Sequence, residues 1–132
     1  MELSPNIKNK KILIIDDDPS MRSIITTIFS SLGFTGLDEA EDGVKGLKKL
    51  QAQHYDYVIC DWTMPNMGGL ELLNTVRKDD ELKSVPFLMC TAITDVENVS
   101  TAIKSGVTDY ISKPFAPDAL YKKVIQALEK IP

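Results

Sequence analysis

The sequence is poor in the residues that build many kinds of protein site. It has two cysteines, one histidine and one tryptophan in 132 residues. Cys60 and Cys90 are too few for a disulfide framework and lack a CxxC spacing. Each closes an apolar run, which predicts small buried side chains in a reducing compartment. With His54 the only histidine, no histidine-based metal cluster or nucleophile–base pair can form within the chain. His54 itself is expected at a solvated helix end. No apolar run approaches the roughly 18 residues needed to span a bilayer, and the opening MELSPNIKNKK lacks the apolar core of a signal peptide. A cytoplasmic protein with no membrane insertion is expected. The net charge of −4 argues against nucleic acid as a direct partner. Proline- or serine-rich linkers and low-complexity stretches are missing too. One domain, residues 11–132, is therefore expected after a leader of residues 1–10.

What is present is an alternation. Short aliphatic runs at 11–16, 36–39, 57–60, 86–90 and 109–111 read as strands. Segments 19–32, 43–52, 70–77, 96–105 and 117–130 carry apolar residues at helical spacing. In the last of these, Leu120, Val124, Ala127, Leu128 and Ile131 fall on one stripe. In 96–105 the stripe is Val96, Val99 and Ile103, expected to pack mostly into the core. The punctuation agrees: Asp18-Pro19 reads as N-cap and first helical residue, Gly33 and Gly106 as helix C-caps, and Pro117-Asp118 as a further helix start. Five β-α repeats predict an α/β fold with a parallel sheet, because parallel neighbours need a crossover helix. The continuously apolar runs Ile12–Ile15 and Val58–Cys60 fit strands covered on both faces.

In an open parallel sheet, ligands bind beyond the carboxyl ends of the strands. Those ends deliver a short set: Asp16, Asp17 and Asp18 from KILIIDDDPSMR, Asp61 from VICDWTMPNMGG, Thr91 from FLMCTA and Lys113 from DYISKPF. Each has an ordinary explanation alone. An aspartate after a strand is usually a turn or cap, and Asp18, ahead of Pro19, is assigned that role. Together they have a chemical logic. Carboxylates that stay ionised side by side suit a hard divalent cation, and Mg²⁺ takes a few protein oxygens plus water and phosphate. An aspartate facing such a metal can act as nucleophile toward a phosphoryl group. A lysine ammonium and a threonine hydroxyl can then stabilise the phosphoryl oxygens.

The segments IIDDDPSMR, EAEDGVKGLKKLQ, DWTMPNMGGLELL, LMCTA and DYISKPF resemble, in order and spacing, the receiver domain of two-component response regulators. The likeness runs over nearly the whole chain and is greatest to the single-domain chemotaxis members. The resemblance implies a flavodoxin-like (βα)5 three-layer sandwich with strand order 2-1-3-4-5. It implies that Asp61 is the phosphoacceptor, with Thr91 and Lys113 contacting the phosphoryl group. Asp16, Asp17, Asp61 and the backbone carbonyl of Thr63 would hold Mg²⁺. Tyr110 would be the aromatic switch that follows Thr91, with small Ala92 leaving it room, and Lys113-Pro114 matches a position where the family has a cis bond. Such a protein is not a classical enzyme; it catalyses only its own phosphorylation and dephosphorylation. The implied partners are a histidine kinase as phosphodonor, a phosphatase, and a downstream protein target such as a flagellar motor switch protein. That target would bind the surface formed by the last two helices and the fifth strand. Lys122 and Lys123 read as part of a solvated helix face.

Some positions depart from the family pattern. Thr63 and Ile93 stand where the chemotaxis members resemble asparagine- and acid-bearing sites, which implies a different phosphorylation lifetime. Gly68 replaces a common aspartate and is expected to make its loop more permissive. Three other readings compete. A receiver cut from a larger regulator would share every site residue. A phosphorylation-independent interaction module would not need Asp16, Asp17, Asp61, Thr91 and Lys113 together. A haloacid-dehalogenase-like phosphatase would use Asp16-x-Asp18, but Pro19 and the lack of an acidic pair after Lys113 oppose it.

Overall fold

The computed structural model describes residues 2–131. Six helices and five strands alternate: α1 (Pro5–Lys8), β1 (Lys11–Ile15), α2 (Pro19–Ser31), β2 (Gly36–Ala40), α3 (Gly43–Ala52), β3 (Tyr57–Cys60), α4 (Gly69–Lys78), β4 (Phe87–Thr91), α5 (Val96–Lys104), β5 (Asp109–Ser112) and α6 (Pro117–Glu129). The strands form one parallel sheet in the order β2-β1-β3-β4-β5. The expected strand order is thus observed, and every expected element is present within a residue or two.

The side-chain period of two divides the central strands between two cores. Ile12, Ile14, Tyr57, Ile59, Leu88 and Cys90 face one layer, where α2 and α6 supply Ile25, Phe29, Leu120, Val124 and Leu128. Leu13, Ile15, Val58, Cys60, Phe87 and Met89 face the other, with Leu50 of α3 and Leu72, Leu73 and Val76 of α4. Cys60 and Cys90 are buried and free, and they lie on opposite faces of the sheet. Burial pushes both thiols up, Cys90 to about 12. Neither is a poised nucleophile.

The local signals act as read. The Asp18 carboxylate caps α2 by accepting from Ser20 N–H at 2.9 Å, with Pro19 in the first turn. Gly33 and Gly106 have φ of +99° and +95° and follow the ends of α2 and α5, a conformation glycine takes without the Cβ penalty. His54 lies exposed just beyond the C-cap of α3 and bonds Asp56 at 2.8 Å.

Two features differ from the sequence reading. The leader contains α1, capped by Ser4, and it buries Ile7 in the α2/α6 layer. Four residues cannot hold a helix by propensity; the buried isoleucine anchors it. The expected core stripe of α5 is also corrected. Val96 is 85% and Ile103 63% exposed, and Ala102 is the one fully buried residue of the helix. Amphipathic spacing marks an apolar stripe without showing that a neighbour covers it.

Candidate functional site

The strand ends of β1, β3, β4 and β5 meet at one edge of the sheet. The ladder continues just past the strands: Asp61 N–H donates to Ile15 O at 3.0 Å, and Asp16 N–H to Ala40 O at 3.1 Å. The carboxylates of Asp16, Asp17 and Asp61 come to lie with oxygens within 4.8 Å of one another. Asp16 is 2% exposed, Asp61 half-buried and Asp17 open to solvent. Burying like charges this close is costly without a compensating cation.

Part of that compensation is Lys113. Its Nζ donates to Asp16 Oδ2 at 2.7 Å and lies 3.4 Å from Asp61 Oδ2. Burial works to lower the Lys113 pKa, but the hydrogen bond to Asp16 and the charges of Asp61 and Asp16 outweigh it and hold it raised. The ammonium stays charged. Three carboxylates against one lysine leave two negative charges uncompensated among these four groups, which fits a divalent cation with hard oxygen ligands. The other oxygens are partly committed: Asp16 Oδ1 accepts from Asp18 N–H at 2.9 Å, and Asp61 Oδ1 from Trp62 N–H at 2.7 Å.

Thr91 ends β4, 2% exposed. Its Oγ1 accepts from Ile93 N–H at 3.3 Å, and its carbonyl accepts from Lys113 N–H at 3.0 Å. The chain thus reaches Lys113 directly alongside Thr91, and the Lys113-Pro114 bond is cis. Tyr110 is half-buried against the α3/α4 layer, and its hydroxyl donates to the Ile93 carbonyl. Burial and the charges of Asp95 and Asp61 raise its pKa. Thr63 lies exposed in the loop two residues after Asp61.

The profile of the response regulator receiver domain family matches residues 12–125. The chain belongs to this family. It is 42% identical over 124 residues to the chemotaxis protein CheY-3 of Vibrio cholerae, covering 94% of this chain and 95% of that one. It is 40% identical over 121 residues to the chemotaxis protein CheY of Pseudomonas aeruginosa, covering 92% and 98%. Among solved structures, the Vibrio cholerae chemotaxis protein CheY4 superposes with a TM-score of 0.84 at 32% identity, over 90% of this chain and 98% of that one.

Several residues of this receiver edge escape a reading of strand ends. Arg22, on α2, donates from Nη1 to the Asp16 carbonyl at 2.6 Å and from Nε to Glu39 at 3.0 Å. It joins the ends of β1 and β2 from the side. Gly69 opens α4 under Asp61: a Cβ there would stand 2.1 Å from the Asp61 carbonyl oxygen. Any other residue would push the strand end that bears Asp61 away from its position. Gly68 is constrained differently than expected. Its φ of −81° is ordinary, so no permissive conformation is used, but a Cβ would meet the Trp62 carbonyl at 2.8 Å. The loop is tight there rather than loose.

Proposed function

We propose that this receiver domain, residues 11–132 with the leader 1–10 beside it, is the phosphoacceptor of a two-component relay. Asp61 is the residue modified. The observation that carries the reading is the gathering of Asp16, Asp17 and Asp61 within 4.8 Å, with Lys113 bonded across them. An Asp61 carboxylate oxygen attacks the phosphorus of a phosphohistidine on a histidine kinase. The P–N bond breaks, the imidazole leaves with the electron pair, and an acyl phosphate forms on Asp61. Lys113 stays charged and meets the transferred phosphoryl oxygens, and the Thr91 hydroxyl offers a further donor to them. Asp16, Asp17, Asp61 and the Thr63 carbonyl would hold Mg²⁺, which when bound supplies charge neutralisation for the phosphoryl oxygens.

The signal leaves through Tyr110 and the surface of α5, β5 and α6. Phosphorylation places roughly one and a half to two negative charges at Asp61. Thr91 moves toward them, and the hydrogen bond from Tyr110 to the Ile93 carbonyl ties the aromatic ring to the loop that follows Thr91. The exposed Val96 and Ile103 give this surface an apolar footing for a protein target. The chemotaxis names of the relatives support a chemotactic output; a cytoplasmic location and a flagellar motor switch protein as the class of target complete the proposal. A phosphatase would reverse the modification. No helix among the described residues is long and apolar enough to cross a membrane.

Trp62 adjoins Asp61 and reports directly. Its fluorescence is expected to change on adding Mg²⁺, and again on adding acetyl phosphate. In Asp61→Asn the second change is expected to vanish. A silent tryptophan, or a phosphodonor response that survives in Asp61→Asn, would sink the reading. A module that works without phosphorylation would show neither phosphodonor response nor partner binding that depends on it.

A further inference from the structure

The loop from Asp61 to Gly68 carries the acceptor at its start and Thr63 within it. Its base is closed by Gly69 N–H donating to Trp62 O at 2.8 Å. Its far side is held from outside, by the start of α3. Asn66 Nδ2 donates to Asp42 Oδ2 at 2.8 Å, and Gly43 N–H donates to Met67 O at 2.9 Å.

The details of this contact are restrictive. Asp42 is 3% exposed, and both its oxygens are used: Oδ1 caps α3 by accepting from Lys45 N–H at 2.9 Å, while Oδ2 takes Asn66. Its carboxyl pKa is lowered by the Lys45 and Asn66 bonds. Asn66 has φ of +68°, the one non-glycine residue with positive φ among those described. That conformation costs about 1–2 kcal/mol outside glycine. Glycines stand two and three positions on, so the chain tolerates them in this loop; an asparagine here gains a side chain that reaches Asp42. Gly43 completes the fit, because a Cβ would lie 2.6 Å from the Met67 carbonyl oxygen. Asp42 also follows Ala40, whose carbonyl holds Asp16 N–H. The contact therefore links the β1/β2 end that bears Asp16 to the loop that bears Asp61.

We propose that Asp42 and Asn66 form a positioning latch that fixes the loop after β3 for metal binding and phosphoryl transfer. This rests on Asp61 being the phosphoacceptor. Two substitutions open the latch while sparing the fold. Asn66→Gly keeps the left-handed backbone at no steric cost and removes the donor. Asp42→Ser keeps a helix cap and removes the acceptor of Asn66. A loop displaced by a fraction of an ångström forfeits part of the advantage of a fixed reacting group.

The test measures melting temperature, the Mg²⁺ dissociation constant from Trp62 fluorescence without phosphodonor, and the rate of phosphorylation by acetyl phosphate. Asn66→Gly is expected to melt close to wild type and Asp42→Ser a few degrees lower, and both are expected to bind Mg²⁺ about 3- to 10-fold more weakly and to phosphorylate about 10-fold more slowly. The double variant is expected to be no slower than the worse single variant, since the two changes break one bond. Wild-type rates and metal affinity in both single variants would overturn the latch and leave the phosphoacceptor reading standing. So would multiplicative losses in the double variant, or losses that simply track melting temperature. A wild-type protein that acetyl phosphate does not modify would overturn the phosphoacceptor reading, and the latch with it.

Discussion

Helices α4 and α5 follow one another in the chain, and both present apolar residues at helical spacing. Their fates differ. Helix α4 buries Leu72, Leu73 and Val76 completely, and Arg77 at its end donates to the carbonyls of Val85 and Gly106 at 2.7 and 2.9 Å. Helix α5 buries only Ala102 and turns Val96 and Ile103 to solvent. The first is fastened beneath Asp61, where Gly69 meets the Asp61 carbonyl; the second buries a single small residue. A regulated surface has to come from the less stable end of the structure. On the proposed reading, the contrast sets a buried frame beside Asp61 and an exposed apolar surface where a target would bind.

The largest effect that would break this contrast lies in α4. Leu73→Ala is expected to cost about 2–5 kcal/mol in urea denaturation, the usual result of deleting a fully buried leucine. A cost under about 1 kcal/mol would mean that the α4 wall is not the fixed frame. Next comes the metal. At a free Mg²⁺ concentration one hundred times its dissociation constant, the domain should gain about 2.7 kcal/mol of stability. Replacing Asp17, the open member of the cluster, with asparagine should reduce that gain. A melting temperature indifferent to Mg²⁺ would remove the metal from the account.

Smaller effects sharpen the comparison on the α5 side. Tyr110→Phe removes the donor to the Ile93 carbonyl and should cost about 0.5–1.5 kcal/mol, together with faster amide exchange in residues 92–95. Ile103→Ser should change stability by no more than about 0.5 kcal/mol, while weakening the binding of a target to the phosphorylated form. An acid titration separates α3 from both helices. The Lys45 and Asn66 bonds lower the Asp42 pKa, with the charge of Lys48 adding to them. The stability this confers is complete above the ordinary aspartate value of about 3.9 and is lost as pH falls through the lowered folded value. Asp42→Asn should flatten that limb of the stability curve, so that its deficit against wild type is largest at neutral pH and narrows as pH falls below about 4.

Much of the architecture was legible because each signal was local. Asp18-Pro19 capped a helix, Gly33 and Gly106 ended two, and continuous apolar runs marked strands buried on both sides. The strand ends then collected Asp16, Asp17, Asp61, Thr91 and Lys113, because a parallel sheet sends all of them to one edge. What stayed hidden depended on contacts across the chain. Helix α1 exists because Ile7 finds the α2/α6 layer, which four residues of sequence do not reveal. The α5 stripe carried the same spacing as a buried one, and only the missing neighbour distinguishes it. Asp42 and Asn66 sit 24 positions apart with no spacing that joins them. Gly68 departs from a family pattern, whereas its neighbour Gly69, which matches it, carries the tighter packing demand.

The central claim is that Asp61 receives a phosphoryl group at this edge. Intact-protein mass spectrometry after incubation with Mg²⁺ and acetyl phosphate tests it most directly. The account predicts a single phosphoryl adduct on the wild-type chain, lost on removal of Mg²⁺ from the reaction and absent in Asp61→Asn. No adduct on the wild-type protein, or an adduct that persists in Asp61→Asn, would contradict it.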